Sequence, residues 1–256
     1  MKMALASESW KLFTLRAVLI TLAVSFVVPV LMAAVTAPSV GEGLRVDDPM
    51  LAAGTTPEVV GLEWIALGQI GVIIVGVLAG SGEFSGGQIQ TSLVAVPNRL
   101  RLVLAKISVL AVTVTLLGAV TIPLLSICSQ LGLGSLSVLS DGVPVSLLVR
   151  WLGEVVYWTG IALIGFSFAV LVRQALVPLL VLIAVSQISL VLVFLTPWAK
   201  FLPTIAGAQL FDAAAVTAAN PAAALDPGSA YAVFLLAVVA LVCCAAVAIC
   251  RRDVRA

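Results

Sequence analysis

The chain has 256 residues, of which 62% are hydrophobic and 10% charged, with a formal net charge of +1. Its mean hydropathy is +1.25, and a chain with so few charges, against the ~25% of soluble domains, has too little polar surface to cover a water-facing exterior. These values exclude a soluble globular domain and give no footing for a nucleic-acid partner; they describe an integral membrane protein solvated by lipid.

At the N-terminus, SESWKLFTLR sets Trp10, Leu12 and Phe13 among Lys11 and Arg16. It reads either as a short amphipathic helix along the inner membrane interface or as a charged flank with an aromatic anchor. The first apolar run, about residues 17–37, is too long for a cleaved signal peptide, and its LMAAVTA end is a weak cleavage match. It is expected to stay as a transmembrane helix. The second span covers about residues 59–82 and carries Gly76 and Gly80 in a G-x-x-x-G pattern suited to close helix packing.

The connection that follows, GEFSGGQIQTSLVAVPNRLRLVLAK (82–106), is compact and patterned. After Gly86-Gly87, the residues Ile89, Leu93 and Val96 recur at helical spacing, with Gln88, Gln90, Thr91 and Ser92 on other faces. Pro97 ends that short helix. Arg99, Arg101 and Lys106 then stand at the height of inner-leaflet phosphates.

The third span runs over about 107–131 and the fourth over about 147–172. Near the outer end of the fourth, Arg150 and Glu154 are one turn apart beside Trp151, Tyr157 and Trp158, which predicts an interfacial anchor with a local ion pair. The fifth span covers about 175–197. Before the sixth, at about 230–249, lies a long segment that is too apolar for a solvated loop. Its Pro203 and Pro221 forbid one long helix, so short helices dipping into the outer leaflet are expected.

Six spans place both termini on one side. With that side cytoplasmic, the inside cations are Lys2, Lys11, Arg16, Arg99, Arg101, Lys106, Arg173, Arg251, Arg252 and Arg255, and only Arg45, Arg150 and Lys200 fall outside. Most acids lie in the opposite loops, so the positive-inside asymmetry is strong. There is no histidine, and Cys128, Cys243, Cys244 and Cys250 show no C-x-x-C spacing, so no metal or redox site is expected and the thiols read as small buried apolar residues. Polar residues available to a substrate path are Gln69, Ser126, Gln174, Ser186 and Gln187, though such groups more often bridge helices. No charge is expected at the bilayer centre, which argues against a buried carboxylate relay.

Ser85-Gly86-Gly87-Gln88 matches the core of the signature loop of ABC ATPases. That loop works only opposite a G-x-x-x-x-G-K-[ST] phosphate loop, and no such sequence occurs in the chain. No cytoplasmic stretch is long enough for a nucleotide domain. The chain is therefore not expected to hydrolyse ATP, nor to carry catalytic or cofactor-binding residues.

The same connection resembles the ABC-2 type permease family. Glu83 at the end of span two, a following Gly, then Q-T-S-L-V-A-V-P-N-R and Lys106 match the family's E…G-(T)-I-x-x-(T/S)-L…P-x-x-R…K order. SESWKLFTLR is similar to its N-terminal E-W-x-K-L-x-T-x-R segment, although Ser9 separates Glu8 from Trp10, and CRRDVRA is similar to its R-R-D ending. The resemblance covers both ends, the central connection and the six-span layout.

It implies one all-α transmembrane domain over 1–256 with no nucleotide-binding domain, in the plasma membrane of a bacterium. It also implies separate ABC ATPase subunits that hold ATP and magnesium, and a second permease chain, identical or homologous. The helix from Gly87 to Val96 would be the coupling helix, with Gly87, Gln88, Ile89, Thr91, Leu93, Val96 and Pro97 at the ATPase contact. Glu83, Arg99, Arg101 and Lys106 would hold its return to the membrane, Glu83 pairing with a base on the N-terminal helix or capping a helix. The function so implied is export of an unnamed cargo, and the apolar spans favour an amphiphilic or hydrophobic one. The alternative is a self-contained secondary transporter or channel.

Overall fold

The computed structural model describes residues 2–49, 51, 55–84, 99–140 and 142–251, with only the backbone of Lys2, Met3, Glu83 and Arg99. Among these residues there is no β-strand. The helices are α1 (Lys2–Thr14), α2 (Arg16–Val46), α3 (Ile65–Ser81), α4 (Arg99–Leu133), α5 (Val145–Val172), α6 (Leu176–Leu195), α7 (Pro203–Ala208), α8 (Ala213–Ala219) and α9 (Pro227–Arg251). Six of them, α2 to α6 and α9, are long and apolar enough to cross a membrane, the make-up of a multi-pass membrane protein.

Their positions match the six apolar runs, but two helices outrun them. At 1.5 Å per residue α2 is about 46 Å long and α4 about 52 Å, against a hydrocarbon core of about 30 Å. α2 passes through Pro29 and Pro38 without ending, and stops where Asp47 turns left-handed (φ 52°) and its N–H reaches the Gly43 carbonyl.

The centre of the bundle is the pair α3 and α5. Gly76 and Gly80 of α3 lie against the backbone of α5, where an added Cβ would stand 2.1 Å from the Ala162 carbonyl oxygen and 2.5 Å from that of Phe166. The G-x-x-x-G pattern therefore does what its spacing predicts, letting two backbones approach. α2 and α4 pack on each other and on this pair, and α9 packs on α5. The outer faces of α2, α4, α6 and α9 stay apolar, with Ile20, Leu116, Leu190 and Leu236 all exposed. Such a continuous apolar exterior requires lipid. Cys243, Cys244 and Cys250 lie on this exterior, so the expectation of buried thiols is corrected: they face outward from α9.

The two ends of the bundle differ in charge. One end gathers α1, the last turn of α3, the start of α4 and the end of α5, where the Arg173 guanidinium lies 5.7 Å from the Phe84 ring. At the other end Arg45 donates to Ser135 (3.1 Å) and Arg150 meets Glu58 (3.5 Å). Here the segment between α6 and α9 folds into α7, α8 and short 3-10 turns, as the two prolines require. Pro203 and Pro221 each sit at the first turn of a new helix, where no N–H is missed. Asp226 then opens α9, its carboxylate accepting from the Ser229 hydroxyl and amide.

Candidate functional site

The N-terminal segment forms α1. It is a helix from Lys2 to Thr14, separated from α2 only by Leu15 in extended conformation. Ala4, Glu8 and Leu12, spaced four apart, form its buried face, while Trp10 and Phe13 project outward. Glu8 is 4% exposed and receives Lys106 Nζ at 2.5 Å on one oxygen and Lys11 Nζ at 3.0 Å on the other. Lys106 is itself only 11% exposed. Two charges removed from water need such mutual pairing, so α1 is held against the foot of α4, the helix that leaves the 82–106 connection.

Of the residues expected to contact an ATPase, Gly87, Gln88, Ile89, Thr91, Leu93, Val96 and Pro97 lie outside the described residues. Glu83 lies in a 3-10 turn (Gly82–Phe84) that follows α3, and Arg99 is the first residue of α4. Arg101 is exposed on the first turn of α4, and Lys106 is the one turned inward. The expected partner of a base on α1 is Glu83, whose side chain lies outside the described residues; the pair seen instead joins Lys106 to Glu8, an acid on α1.

The polar residues within the spans separate into groups. Gln69 of α3, Ser186 and Gln187 of α6, together with Tyr157 of α5, line one cavity of about 580 Å³. α7 and α8 close part of it through Ile205, Ala208 and Asp212. The Tyr157 ring stands 5.5 Å from that of Phe211. Glu63 reaches the same cavity. Gly61, at φ 92°, turns the chain so that its N–H donates to Glu63 Oε2 at 2.7 Å. An added Cβ at Gly61 would stand 1.8 Å from Ser129 Oγ, so only glycine serves there. Ser126 lies on α4 with its hydroxyl buried and without a hydrogen-bond partner among the described residues, and Gln174 is exposed between α5 and α6. Neither belongs to the cavity.

The expected ion pair between Arg150 and Glu154 does not form. Arg150 turns to Glu58 and to the Phe211 carbonyl, tying α5 to the segment after α7. Glu154 is fully buried within α5, and neither carboxyl oxygen has a hydrogen-bond partner among the described residues. The expectation of a local ion pair at this end of the fourth span is thereby corrected: Glu154 is buried without it. Spacing four apart makes contact possible, but Arg150 finds better acceptors in an acid and a carbonyl from other segments.

Two things were missed in the sequence. Glu8 gave a signal in its four-residue spacing with Ala4 and Leu12. Glu63 and Asp212 gave none, since 149 positions separate residues that share one cavity.

No model of a known protein family matches the chain, and no curated protein matches it either.

Proposed function

We propose that this chain is the permease subunit of an ATP-driven exporter of the ABC-2 type, which forms the cargo path and is driven by separate ATPase subunits. The reading puts the cation-rich end of the bundle in the cytoplasm, in keeping with the positive-inside rule, and the protein in a bacterial plasma membrane. Two permease chains, identical or homologous, would share the path. ATP and magnesium belong to the partner, and no residue of this chain takes part in hydrolysis.

The observation that carries the reading is the Glu8–Lys106 ion pair. It joins the N-terminal helix to the helix that follows the 82–106 connection, the two places where the sequence resembles the permease family. A push on Gly87–Val96 as ATPase subunits close would then reach α3 and α4 directly and α1 through this pair. The resulting tilt of α3 against its neighbours would open the path to the far side.

The test is co-expression of the chain with the ATPase encoded in the neighbouring reading frame, wild type beside Leu93→Asp. The reading expects a stable complex with ATPase turnover, and loss of pull-down or turnover in Leu93→Asp. A wild-type chain that binds no ATPase yet moves solute in vesicles would sink it.

One observation favours a second reading. The buried, unpartnered Glu154 is a titratable group inside a span, the feature that a proton-coupled secondary carrier uses. Transport that follows an imposed pH gradient without ATP would select that reading.

A further inference from the structure

The cavity between α2, α3, α5, α6, α7 and α8 has a charge bias that its apolar bulk conceals. Two carboxylates, Glu63 and Asp212, reach it, and no lysine or arginine is among the described residues that line it. Both acids line the wall of this one cavity. Each is held from the protein side by an amide, Gly61 to Glu63 and Ala215 to Asp212 at 3.2 Å. Arg150 of α5, outside the lining, pairs with Glu58 and the Phe211 carbonyl. Two acids thus share a cavity whose described lining holds no cation.

The rest of the wall is apolar or aromatic. Val193, Ile205, Leu190 and Phe194 are part of it, and the tilted Tyr157 and Phe211 rings, 5.5 Å apart, line the same cavity as the acids. Ring faces of this kind attract cations. At about 580 Å³ the space lies within the range of small-molecule sites, about 300–1,000 Å³.

We infer that this cavity binds lipophilic organic cations, the charge at Glu63 and Asp212 and the apolar body against α6 and α7. The inference rests on the export reading only in treating such a cation as cargo; binding itself requires no ATPase.

The experiment compares two probes of nearly equal size and opposite charge, tetraphenylphosphonium and tetraphenylborate. Their equilibrium binding to the full chain in lipid nanodiscs is measured against empty nanodiscs. The phosphonium is expected to bind saturably and the borate no more than to empty discs. Glu63→Gln combined with Asp212→Asn should weaken phosphonium binding at least about tenfold, while Glu42→Gln, outside the cavity, should leave it unchanged. Asn retains the capping role of Asp212; Glu63→Gln alone is a second variant with an expected loss of about threefold or more. Equal binding of the two probes by wild type, or undiminished phosphonium binding in the variants, would overturn the inference. A chain that binds the phosphonium but couples to no ATPase loses only the export reading. A chain that couples to an ATPase but shows no charge preference loses only this one.

Discussion

Lys106 Nζ lies 2.5 Å from Glu8 Oε2, a contact between residues 98 positions apart that clamps the N-terminal helix onto the bundle. Hydrogen bonds to charged groups contribute about 1.5–3 kcal/mol when their partners are held out of water. Glu8→Ala is expected to cost about that much, seen as a lower melting temperature in detergent. Glu8→Gln should fall between, since it keeps an acceptor and loses the charge. An unchanged melting temperature in Glu8→Ala would show that α1 is held by its apolar face alone. If the chain is an ABC permease, both variants should also lower cargo-stimulated ATPase turnover.

The α3–α5 contact makes a steric prediction. Gly76 leaves no room for a Cβ beside the Ala162 carbonyl, and that oxygen belongs to a helix backbone that cannot swing aside. Gly76→Val should therefore cost more than the about 1–3 kcal/mol of ordinary overpacking, and little folded protein should be recovered. Gly82 is the control, because an added Cβ there meets none of the described residues within 4 Å and its φ of −56° suits any residue. Gly82→Ala should be neutral or slightly stabilising. Equal recovery of the two variants by size-exclusion chromatography would contradict the close packing described here.

Asp226 gives a prediction in pH. Its hydrogen bonds from the Ser229 hydroxyl and amide hold its carboxyl below the ordinary aspartate value of 3.8. A group with a depressed folded-state pKa stabilises the fold fully above its unfolded value, and that contribution is lost as pH falls through the lower folded value. Wild type should therefore exceed Asp226→Ala in melting temperature near neutrality, with the gap closing below about pH 4. Asp226→Asn retains a capping oxygen and should lose this dependence. A gap that persists at the acid end would mean that the α9 N-terminus is held by something other than the carboxylate.

Much of the fold was legible because membrane spans are written in runs of about 20 apolar residues, and the run is the signal. The helix ends were less so. Glu42 and Arg45 lower local hydropathy after residue 37, yet α2 continues to Val46, since backbone hydrogen bonds do not require apolar side chains. The prolines of the last connection marked helix starts as well as breaks. The α3–α5 contact was readable from Gly76 and Gly80, whose spacing places both on one helix face. Pairings across the chain were not. Nothing local distinguishes Glu8 as the partner of Lys106, and Arg150 chose Glu58 over the nearer Glu154 because burial and acceptor geometry are set by packing. The cavity required residues from six helices, which no window of sequence contains.

Glu154 separates the two functional readings. Its carboxyl is buried in the bundle with no hydrogen-bond donor on either oxygen among the described residues, so the loss of hydration is poorly offset. Replacing a buried, poorly compensated ionisable group by an apolar one of similar volume is often neutral or stabilising. Glu154→Met should accordingly fold and melt at or above the wild-type temperature. In an ATP-driven permease the carboxyl takes no part in energy coupling, so Glu154→Met should retain turnover with its ATPase and should still move cargo. In a proton-coupled carrier the same variant should fold equally well and lose gradient-driven uptake altogether. Melting temperature and vesicle transport measured on one preparation therefore distinguish a structural remnant from a working proton site.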